Sequence, residues 1–318
     1  MHASPFAAPL NADAADAERR FGGLIRLYGA GGAQRIAQAH AVVIGVGGVG
    51  SWAAEALARC GVGRLTLIDL DHIAESNINR QVQALDGTLG MSKVVALQER
   101  FAQINPDCRI ACVEDFVDAH NAAALIPTDA QVVIDCCDQV SAKTAIAALC
   151  LQRRQPLFMA GAAGGKRHAD ALQCADLSEV THDPLLANVR YQLRRQHGAP
   201  RDGRIGVLCA FSREAIVRSQ GNAGPPQVSL STSRLASRSD SVPSRLPQGS
   251  LEPRASSPSG GGSASRPWGR SQAEACASSD ETSPQSDNSL NCAGFGSSVM
   301  VTASMGMILV ARALDAVL

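Results

Sequence analysis

The chain has 318 residues, 45% of them hydrophobic, with 29 basic and 29 acidic side chains and a formal net charge of zero. This length allows one large domain or two small ones with a sizeable core, and the balanced charge argues against binding to nucleic acid or membrane through overall charge. Aromatic residues make up only 3% of the chain, which argues against a base-stacking surface.

The chain begins with a segment that is predicted to be helical, residues 1–40. Residues 41–218 then alternate between short apolar runs rich in β-branched residues and longer runs rich in Ala and Leu. This alternation predicts an α/β domain that is Rossmann-like and doubly wound, with a mainly parallel sheet and flanking helices. Strands are expected at 41–44, 65–68, 109–113, 132–136 and 156–159, and helices at 51–60, 93–104 and 141–153.

A glycine-rich turn separates the first strand from the first helix of this domain. Its glycines fit the pattern G-x-G-x-x-G with one more added, at Gly45, Gly47, Gly48 and Gly50. Such glycines allow a tight turn and let the backbone approach a phosphate, which the N–H groups at the helix start attract. A purely structural turn is the alternative. Asp69 ends the second strand at a spacing that suits a bond to a ribose hydroxyl, so a nucleotide site is favoured.

Five further polar side chains are candidates for the same crevice: Asn77, Arg80, Gln81, Lys93 and Asp138. Asn77, Arg80 and Gln81 lie in the loop after the second strand, where the alternative interpretation is that they are exposed polar residues without a function. Lys93 opens a helix, where its charge opposes the helix dipole and an anion would compensate it. Asp138 follows the fourth strand, where a carboxylate can hold Mg²⁺. The set suits phosphoryl-group chemistry on ATP, with Asp69 and Asp138 facing one crevice.

The composition changes between about residues 219 and 290, where Ser, Pro, Gly and Arg dominate and large apolar residues are few. Such a segment cannot bury enough surface to offset its ordering entropy, so a long disordered insertion is predicted. Residues 291–318 return to an ordered composition and are predicted to rejoin the main domain as a C-terminal segment and helix. The apolar run 295–311 is slightly short for a membrane span. We interpret it as a buried core helix, and membrane association is not expected.

The cysteines and a basic helix each allow two interpretations. The ten cysteines include no C-x-x-C pair, so zinc is not expected, and they fit reduced thiols of a cytoplasmic protein. Cys209 is either a reactive thiol or, as favoured, a packed core residue. Arg190, Arg194 and Arg195 lie on a predicted helix and form either a contact for the phosphates of an RNA or a solvated basic face.

Five strings in chain order carry a family resemblance: GVGGVG, LTLIDLD, SNINRQ, GMSKV and DCCD. Together they resemble the ubiquitin-activating-enzyme-like (ThiF/MoeB/HesA) adenylating superfamily. The resemblance implies that Asp69 binds ribose and that Asp138 coordinates Mg²⁺. It also implies that Asn77, Arg80 and Lys93 contact the triphosphate of ATP. The implied reaction is attack of an oxygen nucleophile on the α-phosphate, which releases pyrophosphate and leaves an acyl adenylate.

A narrower resemblance rests on RFGGLIRLYG, INPDCRI, AGAAGGK and NCAGFGSSVMVTASMG, which look like the tRNA threonylcarbamoyladenosine dehydratase family. This resemblance covers about residues 1–218 and 291–318. It implies a ligase-like enzyme that uses ATP to activate the carboxylate of threonylcarbamoyladenosine at position 37 of tRNA. Loss of the adenylate then closes a ring, so that the base is formally dehydrated. The resemblance further implies a homodimer that works near a cysteine desulfurase and its sulfur-acceptor protein.

The same residues permit three other functions. The first alternative is an adenylyltransferase that activates the C-terminus of a sulfur-carrier, ubiquitin-like protein, although the zinc-binding C-x-x-C pairs of that branch are missing. A dinucleotide-dependent oxidoreductase would use the glycines and Asp69, but it has no need of the polar set around Arg80. A non-catalytic RNA-binding protein is the least favoured, because the charge is neutral and aromatic residues are few.

Overall fold

The computed structural model describes residues 17–216 and 295–318. The disordered insertion predicted for 219–290 lies outside the described residues, as do the first sixteen residues of the predicted N-terminal helical segment. The predicted domain boundaries at 41 and 218 stay predictions.

Within residues 17–216 and 295–318, a seven-stranded sheet forms the centre of the fold, with the strand order β3-β2-β1-β4-β5-β7-β6. The strands are β1 His40–Ile44, β2 Arg64–Ile68, β3 Arg109–Val113, β4 Val132–Asp135, β5 Leu157–Ala160, β6 Leu172–Asp176 and β7 Leu208–Ser212. All neighbouring pairs run parallel except β6 and β7. The strand order reverses between β1 and β4, which is where ligands bind in doubly wound sheets.

Helices cover both faces of this sheet and create a separate apolar core on each. They are α1 Ala17–Gln38, α2 Gly50–Arg59, α3 Lys93–Ile104, α4 Ala122–Leu125, α5 Val140–Arg153, α6 Pro184–Gln196 and α7 Val299–Val317. The cores pack α2, α3 and α7 on one face and α5 and α6 on the other. The prediction of a Rossmann-like, doubly wound α/β domain is confirmed. The antiparallel pairing of β6 with β7 at the edge of the sheet was not predicted.

The C-terminal helix α7 belongs to the core. It is long and apolar enough to cross a membrane by length and composition, yet one face packs against α2 and the sheet, with Met305 and Leu309 fully buried. Gly306 makes the close approach possible, because a Cβ there would lie 2.7 Å from the Val49 carbonyl oxygen and 3.0 Å from the Ala53 nitrogen. The predicted core helix is confirmed.

Candidate active site

A cavity of about 210 Å³ opens beside the carboxyl ends of β1, β2 and β4, at the reversal of strand order. Most of the predicted site residues line it together: Gly45, Gly47, Gly48, Asp69, Arg80, Gln81, Lys93 and Asp138. Gly50 and Asn77 are not among the residues that line it. The glycine turn after β1, the segment 69–93 after β2 and Asp138 after β4 therefore lie together, because the carboxyl ends of parallel strands meet at one edge of the sheet.

The glycine turn forms one wall of this cavity. Gly45 has a φ of 77°, in the left-handed region that favours glycine, and its N–H donates to the Ile68 carbonyl at 2.8 Å. Within the described residues, the N–H groups of Gly47 and Gly48 have no acceptor. Helix α2 begins directly afterwards, so its positive dipole end lies at the same place. Free N–H groups and a helix start together suit a phosphate.

Gly50→Ala is expected to destabilise this turn strongly. A Cβ at Gly50 would overlap the carbonyl oxygen of Gly45 and lie 3.1 Å from the Cβ of Cys136. A side-chain movement cannot relieve overlap with backbone, so we expect unfolding free energy to fall by about 3 kcal/mol in urea denaturation. Gly87→Ala is the matched control, because no atom of the described residues lies within 4 Å of a Cβ there. Equal, small losses for the two variants would contradict the turn described here.

The carboxylate of Asp69 is held beside the turn by backbone donors. Its Oδ2 accepts from the Val46 nitrogen at 2.7 Å, and its Oδ1 accepts from the Asp71 nitrogen at 2.9 Å. Burial raises the pKa of Asp69, and the Lys93 ammonium and the two N–H donors only partly offset this effect. These bonds fix the carboxylate at the end of β2, where such a group can bond a ribose hydroxyl.

Lys93 is buried at the start of α3, and its ammonium lies near two carboxylates. Nζ is 2.6 Å from Oδ2 of Asp71 and 3.8 Å from Oδ1 of Asp69. These acids supply the negative charge that a lysine at a helix start needs. Asp71 was not among the predicted site residues, although it lines the cavity. Its side chain is 60% exposed, so a phosphate that enters the cavity can compete with it for Lys93.

Arg80 is half-buried and lines the cavity with part of its guanidinium uncommitted. Its Nη1 donates to the Ser76 carbonyl at 2.6 Å and to Oδ1 of Asn79 at 2.9 Å. Within the described residues, its Nε and Nη2 groups make no hydrogen bond. Burial lowers the pKa of Arg80, yet a guanidinium keeps its charge in proteins. The remaining donors are therefore available to an anion.

The loop that carries Arg80 is fixed to helix α2. Trp52 donates from Nε1 to the Arg80 carbonyl at 2.9 Å, and the Val82 nitrogen donates to Oγ of Ser51 at 3.3 Å. Helix α2 begins at the glycine turn. The loop and the turn thus form one unit, because they share this helix.

Asn77 stabilises the loop from within. It is 9% exposed, its Oδ1 accepts from the Ala74 nitrogen at 3.1 Å, and its carbonyl accepts from the Arg80 and Gln81 nitrogens at 3.0 Å each. These bonds place Asn77 beneath the loop rather than on the cavity wall. The triphosphate contact implied for Asn77 stays a prediction.

A buried ion pair lies behind the end of β4. Nζ of Lys143 is 3.2 Å from Oδ2 of Asp135, and both side chains are fully buried. Oδ1 of Asp135 accepts from the Cys137 nitrogen at 2.9 Å, which fixes the loop after the strand. Burial raises the pKa of Cys136 to about 12 and the pKa of Cys137 well above its ordinary value. Both thiols are therefore protonated at neutral pH and are poor nucleophiles.

Asp138 follows that loop and presents a partly buried carboxylate to the cavity. Within the described residues it has no hydrogen-bond or ion-pair partner. Mg²⁺ is commonly held by one or two carboxylates together with substrate phosphates and water, so this residue fits that ion. In residues 17–216 and 295–318, no group of three or more His, Cys, Asp or Glu side chains is placed to hold a metal. Mg²⁺ at Asp138 would thus need ligands from the nucleotide.

The start of α7 completes the wall with two residues that the sequence did not reveal, Ser297 and Thr302. The Ser297 carbonyl accepts from Nδ2 of Asn79 at 2.8 Å, which ties this segment to the loop of Arg80. A Cβ at Gly48 would lie 3.2 Å from Cγ2 of Thr302. The sequence signal that could have revealed these two residues is the run of small residues at the start of α7, since small residues permit close approach between the helix and the glycine turn.

The basic helix and Cys209 have other surroundings. Arg190 donates to the Leu177 and Val180 carbonyls at 2.9 and 2.8 Å, and Arg194 donates from Nε and Nη2 to carbonyls of the loop after α6. Arg190 therefore braces the segment before α6 and Arg194 braces the loop after it, while Arg195 is exposed. Cys209 is fully buried in β7, and burial raises the pKa of its thiol well above the ordinary value. The core interpretation of Cys209 is confirmed.

The chain is similar in sequence to proteins of known function. Residues 21–210 match the model of the ThiF family. The chain is 44% identical to tRNA threonylcarbamoyladenosine dehydratase of Escherichia coli over 206 residues, which are 64% of this chain and 77% of that protein. It is 34% identical to molybdopterin-synthase adenylyltransferase of Escherichia coli over 44% of this chain and 55% of that protein.

A solved structure is similar over most of its length. The crystal structure of Escherichia coli tRNA N6-threonylcarbamoyladenosine dehydratase in complex with ATP matches with a TM-score of 0.70 and 34% identity. The match covers 95% of this chain and 96% of that chain. The likeness to the dehydratase thus extends much further along both chains than the likeness to the molybdopterin-synthase adenylyltransferase.

Proposed function

Because this chain belongs to the ThiF family, we propose that it dehydrates threonylcarbamoyladenosine at position 37 of tRNA in an ATP-dependent reaction. The observation that carries the proposal is one cavity in which Arg80, Lys93 and Asp138 meet the glycine turn. This set offers two cations, one free carboxylate and uncommitted N–H groups to a triphosphate. The identity with the dehydratases selects the tRNA base among the substrates that such a cavity can activate.

In this proposal each wall of the cavity has a separate task. The glycine turn receives a phosphate through N–H groups and the start of α2, and Asp69 receives the ribose. Arg80 and Lys93 neutralise the negative charge that grows on the phosphates when the bond between the α- and β-phosphates breaks. Lys93 does so by exchanging Asp71 for phosphate oxygens.

The reaction has two steps. An oxygen of the substrate carboxylate attacks the α-phosphorus, the bond to the bridging oxygen breaks, and pyrophosphate leaves. A nucleophilic atom of the same threonylcarbamoyl group then attacks the activated carbonyl carbon, loses its proton, and expels AMP as the ring closes. The carboxylate oxygen leaves with AMP, so that the base loses the elements of water. Mg²⁺, held by Asp138 and the phosphates, would supply charge neutralisation.

AMP release with different acceptors tests the assignment. We expect rapid AMP formation with tRNA that carries threonylcarbamoyladenosine and only background AMP with the same tRNA lacking the modification. Stimulation by a sulfur-carrier protein that ends in Gly-Gly, with no response to the modified tRNA, would replace the proposal by the adenylyltransferase alternative. That alternative keeps the same ATP site, so the nucleotide residues alone do not separate the two.

The partners and the location are proposals of the same kind. A homodimer is supported by apolar side chains that are exposed on α1, with Leu27 at 70% and Ile25 at 41%. A sulfur-acceptor protein of a cysteine desulfurase as partner, and a cytoplasmic location, are supported by the resemblance described above. If the homodimer proposal is correct, the chain sediments as a dimer in analytical ultracentrifugation, and Leu27→Asp shifts it to the monomer.

A further inference from the structure

Gln83 is a buried amide behind the cavity that the proposed mechanism does not use. It is 2% exposed and follows Gln81 by two positions. Its Nε2 donates to the Val46 carbonyl at 3.1 Å and to Oε1 of Gln81 at 3.1 Å. One NH₂ group therefore joins the glycine turn, to which Val46 belongs, to a side chain that lines the cavity.

The hydrogen bonds fix the direction of both amides. A backbone carbonyl can only accept, so Val46 requires the NH₂ group of Gln83 to face it. The second hydrogen of that group is then directed at Gln81, whose oxygen must turn toward it. Oε1 of Gln83 is buried and has no hydrogen-bond partner within the described residues. A buried acceptor without a donor costs free energy, so the Gln83 oxygen does not favour this orientation. The orientation is determined by the two oxygens that accept from the NH₂ group, those of Val46 and Gln81.

The result is an oriented donor at the glycine turn. Because its oxygen is engaged by Gln83, Gln81 presents its Nε2 on the other side, 3.8 Å from where a Cβ of Gly47 would lie. We propose that Gln83 is a positioning residue that holds the NH₂ group of Gln81 toward a phosphate of ATP. This inference rests on the proposed function, since it needs a nucleotide in the cavity.

The orientation matters because phosphate oxygens only accept hydrogen bonds. A Gln81 amide turned the other way would bring its own oxygen to the phosphate, and a favourable contact would become a repulsive one. Without Gln83, nothing else within the described residues bonds the Gln81 side chain and selects one direction.

Gln83→Met tests this inference, because methionine keeps the shape of the side chain and removes the donor. Calorimetric titration with ATP and with adenosine separates phosphate contacts from base and ribose contacts. We expect the Kd for ATP to rise about tenfold, the size of a lost hydrogen bond to a charged group, with adenosine affinity unchanged. Gln155→Met is the matched control. Its Nε2 also donates to two carbonyl oxygens, and its Oε1 is also buried with no hydrogen-bond partner in the described part of the chain. Gln155 is not among the residues that line the cavity.

A double-variant cycle gives the decisive outcomes. If Gln83 acts through Gln81, adding Gln83→Met to Gln81→Ala produces no further loss of ATP affinity. Three outcomes would each overturn the inference and leave the proposed function standing. They are losses of ATP affinity that multiply in the double variant, equal losses of affinity for adenosine and ATP in Gln83→Met, and an unchanged Kd for ATP in Gln83→Met. Failure of the wild-type chain to bind ATP would overturn the proposed function and this inference with it.

Discussion

Arg80→Ala is expected to lower AMP formation to near background while the fold remains intact. The guanidinium has free Nε and Nη2 donors in the cavity, and a preorganised donor that meets charge in the transition state is worth a large factor in rate. We therefore expect kcat/KM for AMP formation to fall by about 100- to 1000-fold. The measurement is release of labelled AMP with modified tRNA as acceptor, together with urea denaturation to establish that the unfolding free energy is retained.

Two further variants make this result specific. Arg80→Lys keeps the charge but loses the fork of donors, so we expect an intermediate rate. Arg59→Ala is the control, because that side chain is 57% exposed and its partner Glu55 keeps the bond to Arg100 at 2.5 Å. Normal turnover by Arg80→Ala would contradict the role assigned to this residue, whatever the other variants do.

Lys143→Met is expected to cause the largest loss of stability. The substitution leaves the Asp135 carboxylate fully buried without its cation, and breaking a buried pair in this way costs about 3–5 kcal/mol. The double variant Lys143→Met/Asp135→Asn removes both charges and should recover much of the loss. Urea denaturation of the wild type, the single variant and the double variant measures each difference. A single variant as stable as the wild type would contradict the pairing.

The pH dependence of that pair has a definite sign. Burial acts to lower the pKa of Lys143, but the negative charge of the Asp135 carboxylate outweighs this effect, so that the pKa lies above its ordinary value. A raised pKa in the folded state means that the pair contributes fully below the unfolded lysine pKa of about 10.4 and loses its contribution as pH rises through the folded value. The difference between the wild type and the double variant should therefore be constant at neutral pH and shrink only in strong alkali.

The sequence predicted those parts of the fold that carry strong local signals. Helix α3 begins at Lys93 and ends at Ile104, as predicted, because Asn105-Pro106 stops it. The strand Arg109–Val113 also agrees, since its apolar run is bounded by polar residues. The antiparallel pair of β6 and β7 was missed because an edge strand with a mixed burial pattern, as in β6, gives a weak periodicity.

The residues of the site likewise fall into those that the sequence could predict and those that it could not. Asp69 and Asp138 could be placed from their positions after strands, because the topology of parallel strands brings such positions to one edge. Other residues could not be placed from the sequence, since their roles depend on distances that only the folded chain defines. These are Asp71, Gln83, Ser297 and Thr302. The pairing of Lys93 with Asp71 shows the difference: the sequence indicated that Lys93 needs an anion, and the structure shows that a carboxylate of the chain supplies one.

The most direct test of the central claim is a single incubation of the purified chain with ATP, Mg²⁺ and tRNA that carries threonylcarbamoyladenosine. Digestion of the tRNA to nucleosides and mass spectrometry then report the modified base, while the released nucleotide is quantified in the same sample. The account predicts a base lighter by one water and one AMP for each base converted. Bound ATP with an unchanged base and no AMP would contradict it.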